Sequence, residues 1–144
     1  MANLEKSPIQ LVDLDVTLCH IEQVIPYSQV TEDLLYATNE DLSVDRKAIG
    51  ELVVDNNVQV ALEVKVGMTI ENPVYKIHAI VIGSFSFNVN EFQQDRVEKW
   101  ASTNGFLVLL PFMREILFGA TKYLPSGPYM VPMILLPTAK PDNN

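Results

Sequence analysis

Val58-Gln59-Val60-Ala61-Leu62-Glu63-Val64-Lys65-Val66-Gly67-Met68-Thr69-Ile70 alternates large apolar residues with small or polar ones without a miss. Successive side chains on a strand point to opposite faces. A period of two held this long therefore predicts a strand with one buried and one wet face. β-branched residues crowd the buried set, which suits a pleated surface. Asp55-Asn56-Asn57 precedes the run and Glu71-Asn72-Pro73 follows it, both turn-forming clusters. A second strand is expected over 75–87, with Tyr75, Ile77, Ala79, Val81, Phe85 and Phe87 on one face. Ile80 and Ile82 add apolar character to its other face, as for a central strand.

Two weaker strands come earlier. In 10–20, Val12, Leu14, Val16 and Leu18 alternate against Asp13, Asp15, Thr17 and Cys19. Over 42–54 the pattern is Leu42, Val44, then Ile49, Leu52 and Val54, with Gly50 marking a bulge or bend. The segment 21–41 between them reads as a long connection. It carries Ile25, Tyr27, Val30, Leu34, Leu35 and Tyr36 among acids and turn residues, and loops of that length are often functional.

Beyond residue 88 the period changes. Asn90 is placed to cap a helix with Phe92, Val97, Trp100 and Ala101 as its apolar positions. Asn104-Gly105 is expected to break it. Pro111, whose missing N–H costs nothing in a first turn, then opens a second helix over 111–123. Phe112, Ile116, Ala120 and Tyr123 form one stripe of that helix, widened by Met113 and Leu117. Phe118 stands four residues from both Arg114 and Lys122, on what would be the polar flank. A helix apolar on more than one side packs on its own sheet and on another subunit. The segment 124–137 holds four prolines, which forbid a long helix, and enough Tyr, Met, Ile and Leu to demand burial or a ligand. Strands followed by helices give a two-layer α+β domain. One domain is expected over 1–144, ordered over about 10–138 with a frayed tail at 139–144.

The net charge of −8 is unevenly placed. Residues 1–45 hold Glu5, Asp13, Asp15, Glu22, Glu32, Asp33, Glu40, Asp41 and Asp45 against the single base Lys6. That field repels phosphate backbones, and no basic aromatic-interleaved patch offsets it, so no nucleic-acid partner is expected. It serves solubility, or forms an acidic docking face. The N-terminus lacks the basic and apolar runs of a signal peptide, and no apolar segment reaches the roughly 18–20 residues of a membrane span. Cys19 is the one cysteine, so no intrachain disulfide forms. A cytoplasmic protein without membrane insertion is expected.

Catalytic patterns are missing. There is no phosphate loop, no nucleophile elbow and no dinucleotide fingerprint. Cys19 and His20 are adjacent on a strand and face opposite ways, and His78 has no carboxylate at ligand spacing, so neither metal nor cofactor is expected. The carboxylate pairs Asp13/Asp15, Glu32-Asp33 and Glu40-Asp41 sit where water keeps both members ionised.

Asn104-Gly105-Phe106-Leu107-Val108-Leu109-Leu110-Pro111-Phe112-Met113-Arg114-Glu115 resembles the signature of the SecB family of protein-export chaperones, whose long helix begins with a Pro-aromatic-x-Arg-Glu run. Tyr123-Leu124-Pro125-Ser126-Gly127-Pro128, Leu135-Leu136-Pro137 and Gly83-Ser84-Phe85-Ser86-Phe87 are similar to family segments in the same order, so the resemblance covers about 10–138. It implies a four-stranded antiparallel sheet with the long helix on one face, assembled as a dimer of dimers. It also implies a holdase for unfolded polypeptides that works without ATP and serves protein export. The binding groups it implies are Ile25, Tyr27, Leu34, Tyr36, Tyr129, Met130 and Met133. Each of these also fits a place in the core. Phe112, Ile116 and Phe118 are the implied oligomer interface. Asp13 and Asp15 are the implied docking acids for a translocation motor, although Lys76 and His78 stand where family members carry acid. Two other readings remain. One is an interaction protein dedicated to a single partner, as in toxin–antitoxin control. The other is a hot-dog-like small-molecule enzyme using Glu115 or Asp95.

Overall fold

The computed structural model describes residues 7–47, 53–54, 56–91 and 93–132. Gly50, Phe92, Met133 and the tail expected at 139–144 lie outside them. Five strands are seen among the described residues: β1 (Ile9–Gln23), β2 (Leu42–Lys47), β3 (Val53–Val54), β4 (Asn57–Val66) and β5 (Tyr75–Phe87). The order is β1-β5-β4-β2, antiparallel throughout, with the two-residue β3 also paired to β4. This is the expected antiparallel sheet, and a long C-terminal helix covers one face of it.

β5 has the bounds its alternation predicts. β4 stops earlier than its alternation. Gly67 takes φ 69° and turns the chain, so Met68 and Ile70 continue the sequence pattern outside the strand. An added Cβ at Gly67 would lie 2.2 Å from the Tyr75 carbonyl oxygen, which makes glycine necessary there.

β1 departs from simple alternation. Its register to β5 shifts between Leu11 and Asp13 and again between Val16 and Leu18. Each shift admits one extra residue, a bulge. Val12 falls in the first and is exposed. Val16 pairs with Val81 on the core face, whereas Leu18 pairs with Ile80 on the open face. The four residues expected on one face are therefore split. Asp13 pairs with Ser84 and Asp15 with Ile82, so both lie on the open face, as does His20 opposite His78.

The connection 21–41 is not irregular. A short 3₁₀ turn at Tyr27–Gln29 leads to helix α1 (Glu32–Glu40). Thr31 caps it, its side chain accepting from the Leu34 N–H at 3.2 Å, and Glu32 and Asp33 complement the positive end.

The expected break at Asn104-Gly105 does not occur. Helix α2 (Gln94–Trp100) runs through a π-helical turn, Ala101–Gly105, into α3 (Phe106–Ala120). Gln93, not Asn90, is the N-cap of α2 and makes no side-chain cap bond. Pro111 lies inside α3. Leu107, whose carbonyl it cannot serve, lies with it on the exposed side of the helix, where the loss of that bond costs least. Tyr123 lies past the helix end and is exposed.

Phe106, Leu109, Met113 and Leu117 repeat at three and four residues and are buried against the sheet. They meet Val58, Val60, Leu62 and Val64 of β4 and Ile77, Val81 and Phe85 of β5 in one core. Phe85 and Trp100 stack edge to face at 5.1 Å. The opposite side of α3 exposes Leu107, Val108, Phe112 and Phe118. No helix among the described residues is long and apolar enough to cross a membrane.

Candidate polypeptide-binding cleft

After α3 the chain turns back and crosses the start of β5. Arg114 on α3 and Thr121, the residue that caps its end, hold it there. Arg114 donates from Nε to the Val131 carbonyl at 2.9 Å. The Thr121 hydroxyl donates to the Leu117 carbonyl at 2.6 Å and accepts from the Tyr129 N–H at 2.8 Å. Tyr129 and Val131 are buried, with Met130 between them exposed. The turn is tight. A Cβ on Gly127 would lie 2.1 Å from the Thr121 carbonyl oxygen, so only glycine fits.

Helix α1 forms the other wall. Thr38 is fully buried, and its hydroxyl donates to the Leu34 carbonyl at 2.8 Å and accepts from the Val74 N–H at 2.9 Å. This pins the helix over the entry to β5. Asp41, just past its end, accepts from the Thr69 hydroxyl at 2.5 Å and from the Thr69 and Ile70 N–H groups at 2.9 and 3.3 Å. The hydrogen bond from the Thr69 hydroxyl is the main reason the Asp41 carboxyl lies below its usual range.

Between these walls is a cleft of about 220 Å³ lined by Asn39, Glu40, Tyr75, Ser126, Pro128, Tyr129, Met130 and Pro132. Tyr75 and Tyr129 meet edge to face at 6.1 Å in its floor. The Tyr75 hydroxyl donates to the Asn39 amide oxygen. The Tyr129 hydroxyl and Ser126 Oγ are buried with no hydrogen-bond partner among the described residues. Burial, aided by the Glu40 carboxylate, pushes the Tyr129 phenol up to about 12. Burial also raises the Tyr75 phenol, with Tyr129 adding to it. Both phenols therefore stay neutral near pH 7.

Of the residues singled out from sequence, Tyr129 and Met130 line this cleft. Tyr36, exposed, stands one helical turn before Glu40 and so on the same side of α1. Tyr27 is exposed on the 3₁₀ turn, and Ile25 is half-buried beside β5, its N–H donating to the Val74 carbonyl at 3.3 Å. Leu34 packs against the core. Asn39, Glu40, Tyr75, Arg114 and Thr121 were not anticipated. Thr31 followed by two acids, with Leu34, Leu35 and Thr38 at helical spacing, was the signal that would have shown α1 and with it Asn39 and Glu40.

Elsewhere, Phe112 and Phe118 are about two-fifths exposed and Ile116 is half-buried. Asp13 and Asp15 are exposed on the open sheet face. Further along that face His78 Nε2 lies 2.8 Å from a Glu63 carboxylate oxygen and His20 Nε2 lies 3.5 Å from Glu22. Among the described residues no three His, Cys, Asp or Glu side chains come together to hold a metal ion. Cys19 is exposed, yet partial burial of the thiol raises its pKa and disfavours the thiolate.

No protein-family model matches the chain, and no curated protein matches it. Solved structures do. A SecB-like chaperone from Mycobacterium tuberculosis, in complex with a ChAD peptide from the HigA1 antitoxin, superposes over 90% of this chain and 93% of its own. The TM-score is 0.62 and the identity 15%. A protein of unknown function from Streptococcus agalactiae covers 87% of this chain and 97% of its own at 13% identity, with a TM-score of 0.42. Strand order, the covering helix and the first of these likenesses together give the result: the chain has the SecB-like fold.

Proposed function

We propose that this protein is a non-enzymatic holdase, acting in the cytoplasm without nucleotide, that keeps other polypeptides from collapsing by binding extended segments. The observation that carries this reading is the cleft between α1 and the 126–132 segment, lined by exposed Met130 and with exposed Tyr36 one helical turn from Glu40, on a SecB-like fold. Met and aromatic surfaces repack around varied ligands, which suits a binder of many sequences. The polypeptide ligand of the Mycobacterium tuberculosis neighbour supports the choice of ligand class. Assembly as a dimer of dimers would use the outer face of α3, with Phe112, Ile116 and Phe118. Export through a motor would use Asp13 and Asp15.

A denatured, slowly folding client diluted with and without the protein tests the holdase. Suppressed light scattering at near-stoichiometric amounts, with no nucleotide added, is the expected outcome. Scattering unchanged for several clients removes the holdase and leaves a dedicated partner. That second reading has its own support: the neighbour's ligand is an antitoxin peptide, and Lys76 and His78 interrupt the acidity of the sheet face. A pull-down returning one protein instead of many favours it.

A further inference from the structure

We infer that His20 and His78 form a two-imidazole site for a divalent transition-metal ion, of the zinc or nickel kind, on the open face of the sheet. The two are direct partners in the antiparallel β1–β5 ladder, and their side chains stand on the same face. Directly opposed residues carry Cβ atoms about 4.5–5.5 Å apart, close enough for two imidazoles to grip one ion. They lie far apart in the chain, and only the pairing of β1 with β5 brings them together. Imidazole suits zinc, nickel and copper, whereas magnesium and calcium take oxygen ligands.

Each ring meets a carboxylate through Nε2. His78 Nε2 is 2.8 Å from Glu63 on β4, and His20 Nε2 is 3.5 Å, the limit of a hydrogen bond, from Glu22 on β1. A neutral imidazole that donates from Nε2 carries its lone pair on Nδ1. A carboxylate at the other nitrogen fixes the ring and makes that lone pair a better ligand. Lys65 Nζ lies 3.8 Å from the second oxygen of Glu63, and Lys76 is the ladder partner of Glu22. Both carboxylates thus have a cation beside them and serve to orient the rings, not to bind the ion. Two protein ligands accord with the lack of any group of three ligating side chains among the described residues, and water completes the ion's shell. The His20 side chain is 57% exposed and that of His78 24%, so an ion enters from solvent without any movement of the backbone. Its effect would be a clamp. β1 is paired on one side only, and an ion shared with His78 ties the end of that edge strand to β5.

The test is titration of the whole protein with Zn²⁺ by isothermal calorimetry at neutral pH. One ion should bind per chain, and the melting temperature should rise with Zn²⁺ and return on adding EDTA. Glu63→Gln, which removes an orienting carboxylate, should weaken binding about tenfold. His20→Ala and His78→Ala should each weaken it at least as much. Cys19→Ser, on the other face of β1, should leave it unchanged. A second readout needs no variant. The chain has two histidines, so its ring-proton NMR signals are theirs alone, and both sets should shift together at one equivalent of Zn²⁺. No binding of Zn²⁺ or Ni²⁺ at concentrations on the order of 1 mM would overturn the site. So would affinity that survives loss of either histidine, or saturation that leaves one ring's signals in place. One ion per two chains would overturn a site contained within one chain.

Discussion

Asp41 shows how one residue joins parts of the sequence that lie far apart. Its carboxylate receives the hydroxyl and N–H of Thr69 and the N–H of Ile70, while its carbonyl receives the Gly67 N–H at 3.0 Å. The end of α1 is thereby tied to the turn between β4 and β5. These bonds hold the folded-state carboxyl below its unfolded value. Its contribution is therefore present above the unfolded pKa of about 3.9 and is lost as pH falls through the lower folded value. Asp41→Asn should lower the melting temperature at neutral pH, by an amount that shrinks as both proteins are titrated below about pH 4. Thermal melts across that range check it, and a difference that stays constant would mean the ionised carboxylate contributes nothing. Local chemistry of this kind was hard to read from sequence. Glu40-Asp41 looks like any solvated acidic pair until the turn at Gly67 brings Thr69 to it.

Elements were legible where a single period governed them. Residues 75–87 have a paired strand on both edges and bury one face under the helix, so alternation and strand coincide. β1 is an edge strand, and its two bulges change phase without any Gly or Pro to announce them. The α2–α3 join failed for the opposite reason, because Asn104-Gly105 and Pro111 are strong punctuation. The π turn absorbs the first, aided by Ser102 and Thr103 hydroxyls bonded back to Glu98 and Lys99 carbonyls. Solvent exposure excuses the second. The cleft is half legible: Tyr129 and Met130 mark its tail wall, but its helical wall lies within 21–41, where acids and turn residues mask the helical spacing. The two sides of α3 are the clearest product of helical spacing. Phe118→Asp adds charge where Leu107 and Pro111 share its line on the exposed side. If that side is an interface, the desolvated charge should cost several kcal/mol of association and lower the mass seen by light scattering. An unchanged mass takes Phe118 out of any interface.

For the molecule as a whole, the two floor tyrosines set an alkaline limit. Tyr75 belongs to β5, and Tyr129 to the chain returning from α3. Both phenols are raised, Tyr129 to about 12, because burial disfavours the phenolate. Their contribution is complete below the unfolded pKa of about 10 and is lost as pH rises through the folded values. Tyrosinate absorbance for these rings should therefore appear together with loss of the circular dichroism signal above about pH 10. Phenolate formation well before unfolding would contradict the sealed floor. The attachment of the 126–132 segment has a mechanical side. Arg114 of α3 and Thr121, the residue that caps its end, hold the cleft wall, and the same helix leaves Phe112 and Phe118 exposed. A small roll of α3 under load would shift both hangers together. A partner pressing on the exposed side of that helix would in this way change the width of the cleft.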